Sequence, residues 1–334
     1  MDTKLTAIIS TLFDLNRFAN TPNTNVTGDT GMTVEMKTYY DKELIRLAGP
    51  SLIHDQFGQV KDIPKNGGKT IEFRKYDSLP KALTPLTEGV TPDGKKLNVT
   101  NLTATVAQYG DYITVSDVLD LTAIDNNLLE AEDLLADQAG RTLDTITREV
   151  ITAGTNVLYV NSKASRATLA STDVLKVKDV RNGVRILKNK NTKKIGGYYV
   201  AIIHPDVEYD ITSDPEWVNA SQYAGSTQIF EGEIGKLYGV RFVESTEAKV
   251  FAGAGASGAT VYATMLLGAN FYGTTKVTGG GLEFIVKQMG SAGTADPLNQ
   301  RATAGWKAIK TAERLVEQYG LRIESASTFN AEAN

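Results

Sequence analysis

The chain has 334 residues, 41% hydrophobic and 22% charged, ordinary globular values that allow one large domain or two closely connected ones. Lys and Arg total 35 against 39 Asp and Glu, a formal net charge of -4, which leaves no overall basic excess for gripping phosphate across a broad surface. The absence of cysteine excludes disulfides, thiolate metal sites and cysteine nucleophiles.

Residues 1–58 read as an N-terminal arm followed by a short helix. Asn20 to Gly31 is a run of Thr, Asn, Gly, Asp and Pro suited to an extended segment that needs another surface to lie on. Helical spacing then runs through Met32, Met36, Leu44 and Leu47 to the Gly49-Pro50 stop. The opening residues Met1 to Leu5 lack the pattern of a secretory signal. No window approaches the ~18 consecutive apolar residues that span a bilayer, so no membrane partner is expected and the protein is read as made and used in cytosol.

Residues 59–110 read as a long projecting hairpin. Its strands are Thr70–Tyr76 and Leu97–Val106, the second alternating at Leu102, Ala104 and Val106. Between them, Leu79 to Lys96 carries Pro80, Pro85, Pro92 and the turn pair Asp93-Gly94, and has too little apolar surface to form a core of its own.

Residues 111–200 begin a body in which Leu128, Leu135, Ala139, Leu143, Ile146 and Val150 predict one helix over 125–154. Asp125 is its cap and Gly154 its stop, with Asp144 and Arg148 as an i,i+4 pair on its polar side. Glu130, Glu132, Asp133 and Asp137 read as a solvated face near a helix N-terminus. A second amphipathic helix is expected on Val174, Val177, Val180, Val184 and Leu187, capped by Ser171 or Thr172. Lys188, Lys190, Lys193 and Lys194 mark its solvated exit.

Residues 201–290 and 291–334 carry further strand candidates. The unbroken apolar run Tyr198–Ile203 reads as a strand buried on both faces that enters a helical turn at Pro205. Gly239–Glu244, Val261–Leu267, Leu282–Val286 and Trp306–Ile309 follow, with the Gly/Ala run 252–259 read as a flexible surface loop. The fold class is α+β.

Catalytic patterns are not found. His54 and His204 have no ligand spacing beside them. Asp29-Thr30-Gly31 has the residues of an aspartic-protease triplet but follows Asn25-Val26-Thr27-Gly28, which reads as a turn. The run Gly253 to Gly258 lacks the Gly-Lys-Ser/Thr of a phosphate-binding loop. Neither a cofactor, a metal nor an enzymatic role is expected.

The element order resembles the Hong Kong 97-like fold of tailed-phage capsid proteins. Several stretches are also similar to a tailed-phage major capsid family: Asp111-Tyr112-Ile113-Thr114-Val115-Ser116-Asp117, then His204-Pro205-Asp206-Val207 with Asp214-Pro215-Glu216-Trp217. Gly232 to Ser245, Asp296-Pro297-Leu298-Asn299-Gln300-Arg301 and Gly305-Trp306-Lys307 continue the set. Their order and spacing carry the resemblance more than any one stretch.

The resemblance implies that residues 59–110 are the extended loop, 125–154 the spine helix, 111–200 with 291–334 the peripheral domain, and 201–290 the axial domain. It implies a shell subunit that assembles with itself through pentamers and hexamers around double-stranded DNA, without sequence-specific binding. Scaffolding, portal and decoration proteins are the implied partners, the virion capsid the implied location, and the host bacterial cytoplasm the place of assembly. Gly67, Gly68 and Gly89 are candidate hinges, and Trp217, Arg301 and Trp306 candidate structural or interface residues. An encapsulin-like nanocompartment shell protein is the alternative within the same fold.

Overall fold

A computed structural model describes residues 52–62, 68–76, 79–122, 127–224, 235–276, 282–291 and 296–330. All of them belong to the unit Leu44–Asn334. The expected arm, its helix, Asp29-Thr30-Gly31 and Gly67 lie outside the described residues.

The hairpin comes first. After the short strand β1 (Gln59–Lys61), β2 (Thr70–Tyr76) and β3 (Val99–Thr105) pair antiparallel from Thr70↔Thr105 to Tyr76↔Val99. Alternation puts Ile71, Phe73 and Ala104 on one face, where they bury against Leu315 in a small satellite core. The chain between the strands turns at Thr87–Val90, where the Val90 amide donates to the Thr87 carbonyl at 3.2 Å and Gly89 takes φ +76°. That positive φ at the third residue suits glycine, and it moves the turn from the expected Asp93-Gly94 to this point.

β4 (Ala107–Ser116) continues the second strand into the body, followed by α1 (Asp117–Thr122) and the long helix α2 (Asn127–Thr152). At 26 residues α2 is about 39 Å long. It buries Leu135, Ala139 and Leu143 of the expected stripe and half-buries Ile146 and Val150, while Asp133 and Asp137 are exposed. Three polar readings are corrected. Glu132 is buried, and Asp144 and Arg148 are buried as well, not on a polar side. The second half of α2 is covered by residues 52–57 and by strands from the end of the chain, so it has no solvated face at these positions. The proposed Asp125 cap lies outside the described residues.

β5 (Val157–Tyr159) leads to α3 (Val177–Asn189), which starts later than expected because Val174 is held in a parallel bridge to Ala326. Ser171 and Thr172 therefore do not cap it; Asp214 Oδ2 accepts from the Val177 amide at 3.1 Å. β6 (Tyr199–Ile203) runs into α4 (Pro205–Thr212) and then α5 (Pro215–Ala224). Next come β7 (Lys236–Leu237), β8 (Val240–Glu244), β9 (Val250–Phe251), β10 (Val261–Leu267) and β11 (Tyr272–Thr275). β12 (Leu282–Lys287), β13 (Arg301–Lys310), β14 (Ala312–Arg314) and β15 (Gly320–Ser325) complete the order.

Seven strands make the main sheet in the order β5-β15-β10-β6-β8-β7, with β9 beside β10. β6 crosses the expected 200/201 boundary and draws both sides of it into this sheet. The continuous apolar run of β6 is explained by two cores. Tyr199, Ala201 and Ile203 face α3 and α4, while Val200 and Ile202 face Ile151 of α2 and Phe271. The Gly/Ala run between β9 and β10 is pinned and not free, since Ala256 donates to the Leu169 carbonyl at 2.8 Å and Gly255 to that of Ala259 at 2.8 Å.

A separate three-stranded sheet, β12-β13-β4, pairs β13 with β4 over ten positions from Arg301↔Ser116 to Lys310↔Ala107. A third sheet, β1-β11-β14, joins the foot of the hairpin to the body.

Candidate functional site: assembly surfaces

The hairpin connection is the most exposed segment described. Every residue from 79 to 98 is exposed, including Leu79, Leu83 (82%), Leu86 (78%), Val90 and Leu97. Large apolar side chains in such number on one projecting loop mark a surface meant to be covered. The loop is held at its base: the Phe73 ring packs where a Cβ on Gly273 of β11 would stand, and the Val106 amide donates to the Lys69 carbonyl at 2.9 Å.

Between β4 and α2 lies an open groove of about 380 Å³ lined by Asp111, Ile113, Leu134, Asp137 and Arg141. Gln138 organises its wall. Its amide donates to Asp111 Oδ2 at 2.8 Å and accepts from Trp306 Nε1 at 3.1 Å. That bond and the Tyr112 amide at 2.8 Å hold the Asp111 carboxyl below its ordinary value. Exposed Leu134 and Ile113 give the groove an apolar lip.

Where the hairpin foot, α2 and β13 converge, a buried polar junction ties the parts together. Asp144 accepts from the His54 amide at 2.7 Å and meets its Nδ1 at 2.6 Å. Asp55 accepts from Thr147 Oγ1 at 2.6 Å and Thr274 Oγ1 at 3.2 Å, and pairs with the fully buried Lys310. The Tyr272 hydroxyl donates to the His54 carbonyl. Burial holds the Lys310 amine below its ordinary value, against the pull of Asp55, and pushes the Tyr272 hydroxyl far up. An acid, an amine and an imidazole in one place invite a catalytic reading, but they are spent on each other beneath the surface. No three potential metal ligands stand together among the described residues.

The positions singled out in the sequence are scattered. Gly68 and Gly89 both take positive φ, +89° and +76°, in open space. Trp306 is buried against Gln138, and Trp217 packs edge-on against Phe242 at 5.1 Å. Arg301 is exposed at the start of β13, its amide donating to Asp296 Oδ2 at 2.8 Å. The junction at His54, Asp55, Asp144 and Lys310 was missed, and no local signal could have found it, since its partners are 90 and 255 positions apart.

A family model described as phage capsid protein matches residues 90–288, more than half of the chain. The chain belongs to this phage capsid protein family. Solved capsids share its fold at low identity. The capsid protein of cyanophage Pam1 is 14% identical with a TM-score of 0.65, over 85% of this chain and 93% of that one. That of cyanophage P-SCSP1u is 13% identical with a TM-score of 0.64, over 83% and 88%. That of Ralstonia phage GP4 is 14% identical with a TM-score of 0.61, over 80% and 86%. No curated protein matches significantly. The Hong Kong 97-like architecture is thus that of a phage major capsid protein, and the nanocompartment alternative is not favoured. As a phage capsid protein it associates with itself into a shell.

Proposed function

We propose that this capsid protein builds its shell from pentamers and hexamers, without catalysis, by laying the 79–98 hairpin loop of each subunit across a neighbour. The exposed row Leu79, Leu83, Leu86, Val90 and Leu97 carries this reading: among the described residues nothing covers it, and a neighbour's surface would. Each contact need only be modest, because a subunit in a closed shell meets several neighbours at once.

The extended loop is taken as 59–110, with the spine helix α2 in a peripheral domain and the seven-stranded sheet at the heart of the axial domain. Gly67, Gly68 and Gly89 are the hinges at the foot and tip of the loop. The shell encloses double-stranded DNA, assembles in the host bacterial cytoplasm, and draws on scaffolding, portal and decoration proteins.

Negative-stain electron microscopy of the purified chain, with size-exclusion chromatography alongside, tests this. Closed particles or rings of five or six subunits support it; a compact monomer whose fold is stabilised by a small ligand overturns it. Gly67→Ala with Gly68→Ala should impair particle assembly, and normal particles from that double variant would sink the hinge assignment.

A further inference from the structure

The net charge of -4 conceals a strongly basic face. Residues 176–194 hold eight Lys or Arg against one Asp, and the fold sorts them. On α3, Lys178, Arg181, Arg185 and Lys188 follow at spacings of three, four and three, so they share one exposed stripe, opposite the buried Val177, Val180, Val184 and Leu187. The stripe is about 15 Å long. The chain then leaves the helix through Lys190, Lys193 and Lys194, all exposed.

The β7–β8 turn adds to this surface. The Arg181 guanidinium lies over the Tyr238 ring at 4.8 Å, Lys236 Nζ over the Tyr198 ring at 5.0 Å, and a Cβ on Gly239 would touch Lys194 Nζ. Few acids answer these charges. Glu216 takes Arg181 at 2.7 Å and the Tyr238 hydroxyl at 3.0 Å, and Asp179 accepts from the Lys176 amide at 3.3 Å. Among the described residues, Lys188, Lys190, Lys193, Lys194 and Lys236 have no carboxylate at ion-pair distance.

We propose that this face binds the phosphate backbone of double-stranded DNA without reading its bases, and is where the shell wall meets the enclosed genome. The second clause rests on the shell reading; the binding itself does not. A solvated helix exit explains four lysines, but not the alignment of α3 and the β7–β8 cations with them. An acidic protein partner would be expected to seat apolar or aromatic anchors in the centre of such a surface. Here the exposed aromatics Tyr198 and Tyr238 are covered by cations, and the stripe between is bases alone. Bases repeated at regular spacing, without apolar anchors, are what a phosphate backbone requires.

The test is fluorescence anisotropy of a labelled duplex of roughly 30 bp with the purified chain over a KCl series, comparing wild type with K188E/K190E/K193E/K194E. All four positions are exposed, and a thermal melt checks that the fold is kept; K190Q/K193Q serves if it is not. Wild type should bind with a Kd on the order of 10–100 µM near physiological salt. The variant should weaken binding by about tenfold or more and lower the salt slope by about 3–4. Equal binding by both proteins, no binding by wild type at low salt, or tighter binding of labelled polyglutamate than of the duplex overturns the proposal. Particle formation by wild type and variant is scored separately by electron microscopy, so failure of the shell reading is not mistaken for failure of the DNA contact.

Discussion

Lys310 shows how much a single buried side chain can hold. It has no exposed surface, and its partner Asp55 also receives two threonine hydroxyls from α2 and β11. Removing the amine leaves a nearly buried carboxylate with neutral donors only, and Lys310→Met should cost about 3–5 kcal/mol. The double variant Lys310→Met with Asp55→Asn should recover part of that loss in denaturant unfolding; a double variant as unstable as the two single losses added together refutes the coupling.

His204 makes a different kind of prediction. Its Nδ1 accepts from the Asp206 amide at 3.2 Å to cap α4, so the cap needs the neutral ring. Burial lowers its pKa, and the nearby Asp206 and Glu244 only partly oppose this. The unfolded chain therefore takes up a proton that the folded one refuses, and stability falls as pH drops below about 6.5. His204→Asn keeps an acceptor that does not titrate, and its melting temperature should fall less than that of wild type between about pH 7.5 and about pH 5.5, which bracket the ordinary histidine value. Parallel curves refute the assignment. The cap was partly legible, because His204 precedes a proline at a strand end. The polarity of Asp144 and Arg148 was not, because i,i+4 spacing says that two residues neighbour each other and not which way their face points.

At the scale of elements, β6 and β10 were readable because each must bury both faces, and a run without polar interruption records that demand. The start of α3 was misread because Val174 has the helical spacing yet is used in a bridge to Ala326, a tertiary contact no periodicity encodes. Inside α3, Gly183 breaks helix propensity for a packing reason. A Cβ there would stand 3.1 Å from Leu266 and Leu321 and 3.2 Å from Ile323, so the helix lies unusually close to the sheet. Gly183→Val should overpack this seam and cost about 1–3 kcal/mol despite removing a glycine from a helix. Thermal unfolding checks it; a stabilised variant would show that the helix can withdraw without loss.

At the scale of the whole molecule, the long helix and the fully buried strands were anticipated from their patterning, but the surface proposed for assembly was visible only as something missing. The 79–98 segment has four leucines and one valine without the period of a strand or helix, and the described residues leave them exposed. Such residues add little to the stability of the isolated chain, since they are nearly as exposed folded as unfolded. They matter only if another copy covers them, where each buried leucine contributes roughly 1.5–3 kcal/mol. The two effects separate in one pair of measurements. Leu83→Ser with Leu86→Ser should leave the melting temperature of the unassembled subunit within about 2 °C of wild type, because these residues are already 82% and 78% exposed. The same variant should raise the protein concentration needed to form particles by about tenfold or more, since losing even half of that burial at each contact exceeds 1.4 kcal/mol. A variant that melts early places the leucines in the subunit's own fold, and one that assembles at the wild-type concentration removes the hairpin from the interface.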